Sequence, residues 1–258
     1  MVVLAHGEVL YGMRRMADKI VAWAGILLLW VGPAAAEDRL TVCVSILPQK
    51  YFVEKIGGNL VDVHVMVEPG ESPATYEPKP RQMADLVKTD VYFAIGVPFE
   101  NAWLGKISDI NPKMRVVHTD RGIEKIPMTT PRFQDAEKLQ NDTEEKNEDI
   151  EKADSHDHGG LDPHIWLSPP LVKRQAKSIL AAFREIDPTR AGVYEAGLSA
   201  FVSEIDALDT RLKELFSDRR EPVRFMVFHP SWGYFAGAYG LEQIPIDIEG
   251  KDPNPAQL

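Results

Sequence analysis

The sequence predicts an α/β fold of two α/β lobes joined by one long rigid helix, and three observations carry that reading. Apolar strand-like runs alternate with helix-compatible stretches between residues 40 and 117. A proline-free stretch from Thr189 to about Phe216 then places Val193, Leu198, Phe201, Ile205, Leu208, Leu212 and Leu215 at helical spacing. A fresh strand at 223–228, Val-Arg-Phe-Met-Val-Phe, opens a new α/β unit just after it. The lobe boundary therefore falls along the helix. A first lobe covers 37–187, a connecting helix 188–216, and the start of an incomplete second lobe 217–258.

Before the first lobe, Arg14, Arg15 and Lys19 precede an uncharged apolar run at 20–31, and Pro33-Ala34-Ala35-Ala36 follows. This order is that of a signal peptide over residues 1–36, cut after Ala36. The run is too short for the roughly 20 residues of a spanning helix. Export to the periplasm without stable membrane insertion is expected, with residues 1–12 as an upstream extension and Met13 or Met16 as a more ordinary start. Cys43 is the single cysteine, so no intramolecular disulfide can form, and its place inside an apolar strand argues for burial and against a lipid anchor. Lys and Arg total 29 against 39 Asp and Glu, a net charge of -10 without a basic cluster, which excludes nucleic acid as a partner.

Within the first lobe, residues 40–47 read as a strand and 48–59 as a helix stopped by Gly57-Gly58. Residues 61–67 alternate valines with other residues, so His64 faces away from them, and Pro69-Gly70 turns the chain. A helical stretch at 81–89 leads to the strand at 91–95, and Val116-Val117 repeats the pattern. Residues 134–160 break the rhythm as an acidic loop closing on Ser155-His-Asp-His-Gly-Gly. Ser168 stands as an N-cap before Pro169-Pro170, and Asp187-Pro188 opens the long helix. Residues 254–258 read as the beginning of another helix.

Four segments set metal-capable or turn-forming residues beside prolines at strand ends: 68–80, 160–170, 228–235 and 249–258. In the second, Asp162-Pro163-His164 holds an imidazole on a stiff turn, with Asp162 placed to receive its other ring N–H. Alone, His164 reads equally well as a helix cap or a packing partner of Trp166. His229, at the end of the 223–228 strand and fenced by Pro230, Trp232 and Tyr234, supplies corroboration. One such histidine per lobe suggests a cleft, and neutral imidazoles in a rigid surround suit Zn²⁺. His156 and His158 in the acidic loop gather metal weakly or form a solvated tract; His64, His118 and His6 are structural or irrelevant. No Gly-x-Ser-x-Gly, His-Glu-x-x-His or phosphate-binding glycine loop is present, so an enzyme is not expected.

These residues resemble the zinc- and manganese-type solute-binding proteins of bacterial ABC importers, near the zinc subgroup. The resemblance spans 40–258 and is carried by SILPQKYFVEKIGG, VEPGESPATYEPKPRQM, LDPHIWLSP, DPTRAGVYEAGLSAFVSEIDALD and VFHPSWGYFAGAYGL. It implies two lobes joined by a rigid helix, with a transported Zn²⁺, or alternatively Mn²⁺, held between them. It also implies an ABC permease as partner, a monomer and no catalysis. His164 and His229 match two of the family's histidine ligands. Ala74 stands where the usual pattern has another histidine, and the chain stops before the segment of the family's late carboxylate. Glu77, Glu71, a loop histidine or water could fill the gap, Glu77 or water being favoured. A secreted zinc hydrolase and a surface adhesion protein are the alternatives.

Overall fold

The computed structural model describes residues 39–128, 160–218 and 223–246, all within one unit, Arg39–Leu258. The expected signal peptide, His6, the acidic loop to residue 159 with His156 and His158, and the segment after residue 246 lie outside the described residues.

The first sheet is parallel, in the order β2-β1-β3-β4, and its composition explains which strands are central. Strand β1 (Leu40–Ile46) and strand β3 (Val91–Ala94) are apolar almost throughout and buried, as parallel strands covered on both faces must be. Strand β2 (Val61–Val67) alternates at its start, with Asp62 and His64 exposed, and forms one edge; strand β4 (Arg115–His118) forms the other. Register pairs Val42 with Val63 on one side and with Val91 on the other. The β2 edge is blunted by side chains: Lys50 donates to the Val63 carbonyl at 3.1 Å and Gln82 to that of Met66 at 2.8 Å.

Helix α1 (Leu47–Gly57) crosses from β1 to β2, and its Gln49 turns inward, accepting from Ser45 N–H at 3.1 Å and Ile46 N–H at 3.2 Å. Helix α2 (Pro80–Asp85) precedes β3, and helix α3 (Pro98–Ile110) joins β3 to β4. The sheet separates two apolar clusters. One holds Val42, Val44 and Phe93 against Phe52, Phe183 and Tyr194; the other holds Cys43, Tyr92 and Ile95 against Ile107, Tyr76 and Phe99. Burial drives the Cys43 thiol up to about 12.

After the first sheet come helix α4 (Pro169–Ile186) and, past a 3₁₀ turn at Pro188–Arg190, helix α5 (Ala191–Ser217). At 1.5 Å per residue α5 is about 40 Å long. Ser168 takes the N-cap position of α4, but contrary to the expectation its hydroxyl makes no cap bond. Pro170 has no N–H to offer, and Leu171 N–H bonds the Ser168 carbonyl at 2.9 Å instead. The carboxylate of Asp187 organises the turn between the helices, accepting from Thr189 Oγ1 at 2.8 Å, from Tyr194 at 2.7 Å and from Arg190. Beyond α5 stand β5 (Val223–Val227), helix α6 (Gly233–Tyr239) and β6 (Leu241–Pro245), the two strands paired in parallel. Tyr239 ties α6 to α5 by donating to Asp209 at 2.9 Å.

Candidate metal centre

Local backbone chemistry builds the His164 turn. Residues 126–128 and 160–162 run past each other as a short antiparallel bridge, with Met128 N–H on the Gly160 carbonyl at 3.0 Å and Asp162 N–H on that of Ile126 at 2.8 Å. Pro163 then stiffens the turn while Asp162 Oδ1 accepts the His164 N–H at 2.9 Å, an Asx-type closure. The same oxygen lies 2.6 Å from His164 Nδ1. An ionised carboxylate only accepts, so Nδ1 carries the proton and Nε2 keeps its lone pair free. Asp162 is almost fully buried, and His164 exposes only 13% of its side chain, so the ring is held and one edge is open. Trp166 braces it, the ring centroids 5.0 Å apart.

His229 follows β5 and is exposed, while Pro230 beside it is buried. The next residues are pinned: Ser231 N–H bonds the His229 carbonyl at 2.7 Å, and Trp232 N–H bonds Gln243 Oε1 on β6 at 3.0 Å. Tyr234 reaches back to the His164 turn. Its hydroxyl donates to the Asp162 carbonyl at 2.7 Å and accepts Ile126 N–H at 3.2 Å, and burial raises its pKa, which keeps the proton on.

The structure brings the His164 and His229 rings together, with centroids 5.2 Å apart and planes at 71°. It does not bring Glu77 to them: Glu77 is exposed, and no three His, Cys, Asp or Glu side chains among the described residues form a metal-holding group. Ala74 is exposed on the loop before Tyr76, whose ring packs edge-on against Phe99. His64 and His118 lie on β2 and β4, each beside an aspartate, Asp62 at 3.5 Å and Asp120 at 3.8 Å.

Two side chains escaped the sequence reading. Tyr234 stood there only as one of the aromatic residues fencing His229. Glu100, near the start of α3, is buried where β1 and β3 end and the strand order reverses, the usual ligand crevice of such sheets. It accepts from Ser45 Oγ at 2.5 Å, Ile95 N–H at 3.0 Å and Gly96 N–H at 2.8 Å, which fix a carboxylate at that crevice. Burial raises its pKa despite these donors.

Comparison with known proteins identifies the family. A high-affinity zinc uptake system protein, ZnuA, of Bacillus subtilis strain 168 is 25% identical over 221 residues, covering 85% of this chain and 64% of that protein. The zinc-binding lipoprotein AdcA of Streptococcus pneumoniae serotype 4 is 24% identical, covering 86% of this chain and 41% of its own length. The chain thus spans less than two thirds of either curated relative. A crystal structure of ZnuA superposes with a TM-score of 0.69 at 40% identity, covering 85% of this chain and 75% of that one. A ZnuA deletion mutant with zinc bound gives 0.68, also at 40%, covering 84% and 74%. The family model described as "Zinc-uptake complex component A periplasmic" matches residues 42–258, and the chain belongs to that family.

Proposed function

We propose that this protein is an extracytoplasmic receptor that captures Zn²⁺ and delivers it to an ABC permease for import, without catalysing a reaction. One observation carries the reading: two imidazoles meet edge-on with ring centroids 5.2 Å apart, one of them fixed by a buried carboxylate. A ring centroid lies about 3.2 Å from a metal bound at about 2.1 Å, and two such rings at a tetrahedral angle stand about 5.2 Å apart. The spacing suits one ion shared by His164 and His229. The zinc named for the relatives and the imidazole donors favour Zn²⁺ over Mn²⁺.

Two histidines do not complete a tetrahedral shell. We assign the remaining positions to water, or to His156 or His158 from the acidic loop. Export through a cleaved signal peptide at 1–36, action as a monomer, and a lobe division at the α5 connector complete the proposal. Isothermal titration of the metal-free protein with Zn²⁺ is expected to show near-stoichiometric uptake reversed by chelator. His164→Ala and His229→Ala should each weaken it about 100-fold or more. Silence of the unsubstituted protein in that titration would overturn the proposal.

A further inference from the structure

Tyr234 stands on α6, in the part of the chain that follows His229, yet its ring is buried in the apolar cluster of the first sheet with Tyr76, Phe99, Ile123 and Ile165. Its hydroxyl meets both strands of the bridge that carries His164: it donates to the Asp162 carbonyl at 2.7 Å and accepts Ile126 N–H at 3.2 Å. Asp162 is also the residue whose carboxylate holds the His164 ring. The neighbouring residue fits equally closely, since a methyl on Gly233 would lie 3.0 Å from Asp162 Oδ2 and 3.1 Å from Ile126 Cδ1. The segment bearing one histidine is therefore bolted to the turn bearing the other through a donor, an acceptor and a side-chain-free backbone.

We propose that Tyr234 is a positioning residue whose hydroxyl sets the spacing of His164 and His229 and so the affinity for the captured ion. This rests on the metal-capture reading above. Two ligands from distant parts of the chain bind an ion tightly only when their separation is fixed beforehand; otherwise part of the binding free energy is spent gathering them. Without the hydroxyl, the Asp162 carbonyl and Ile126 N–H lose a shared partner, and the link from the His229 segment to the His164 turn is left to ring packing and the close fit at Gly233.

The test uses the full chain carrying Tyr234→Phe, with Tyr239→Phe as control. Tyr239 lies on the same helix, is comparably buried, and spends its hydroxyl on Asp209 of α5, away from the histidines. Three readouts are needed: Zn²⁺ affinity by competition with a chromophoric chelator, the visible absorption of the Co²⁺-loaded protein, and exchange of the Ile126 amide in the metal-free state. Tyr234→Phe is expected to weaken Zn²⁺ about tenfold or more, alter the Co²⁺ bands and speed Ile126 exchange. Tyr239→Phe should lower the melting temperature while leaving all three unchanged. Unchanged affinity and bands in Tyr234→Phe overturn the proposal, as does equal weakening in both variants. A wild-type chain that takes up neither ion overturns the capture reading itself, before any substitution is made.

Discussion

Asp162 offers one oxygen to two donors of the same histidine, and replacing it separates charge from shape. Asp162→Asn keeps the size and can still close the turn, but loses the charge that holds Nδ1 protonated and the ring oriented. A 10- to 100-fold loss of zinc affinity is expected by titration, with the fold intact by circular dichroism. Glu100 makes a different prediction, about pH. Its folded pKa is raised, so the folded state holds the proton more tightly than the unfolded one. Its contribution is fully present below the unfolded value near 4.5 and is lost as pH rises through the folded value. The stability advantage of the wild type over Glu100→Gln, from urea midpoints, should therefore be largest below about pH 4.5 and shrink as pH rises. An advantage that grows with pH contradicts this. The Asp162–His164 pair was legible in the sequence because its members sit two residues apart. Glu100 was not, because Ser45, 55 residues away, reaches it only when β1 and β3 pair.

Among the elements, β1, β2, β3, β5 and the helices α1, α2, α4 and α5 announced themselves, whereas α3, α6 and β6 did not. Strands β1 and β3 are apolar runs, β2 alternates, and α5 repeats apolar residues over 27 residues, so each carries its own periodicity. Helix α3 went unread although Phe99, Trp103, Leu104, Ile107 and Ile110 mark a face and Pro98 stands at its first position. Helix α6 is seven residues rich in Gly and aromatics, and it is held by packing rather than propensity. Where α1 and α5 cross, a Cβ added to Gly197 would run into the Ile56 carbonyl of α1. An exposed helical Gly→Ala gains up to about 1 kcal/mol from propensity, but here the two backbones must part. Gly197→Ala is expected to lower stability by about 1–3 kcal/mol in denaturant unfolding, the sign opposite to the propensity rule.

For the molecule as a whole, the alternation of strands and helices was enough to give an α/β class and a long helix between two sheets. The second sheet remains less covered than the first. Met226, Phe228 and Ile244 are exposed, whereas β1 and β3 are sealed on both faces. The site was half legible for the same reason: the histidine turns are local motifs, but their meeting depends on how α5 and α6 carry β5 back to the first sheet. If the ion binds only the folded chain, free Zn²⁺ at 100 times its dissociation constant should add about 2.7 kcal/mol of stability. The shift should vanish in His164→Ala. A melting temperature indifferent to zinc in the wild type would contradict it.

Cys43 lies at the centre of the first sheet, paired with His64 of β2 and Tyr92 of β3, with 3% of its surface exposed and its thiol held protonated by burial. An alkylating reagent reaches that sulfur only when the side chains packed over that face of the sheet, Met66 and Leu86 among them, move aside, and thiolate is scarce even then. The lone thiol is therefore a built-in clock for opening of the layer that covers this face of the sheet. Under native conditions modification by iodoacetamide should follow that opening, not reagent encounter, and zinc should slow it as far as it stabilises the fold. Rapid alkylation of the folded chain would show that the sheet breathes far more than its packing implies.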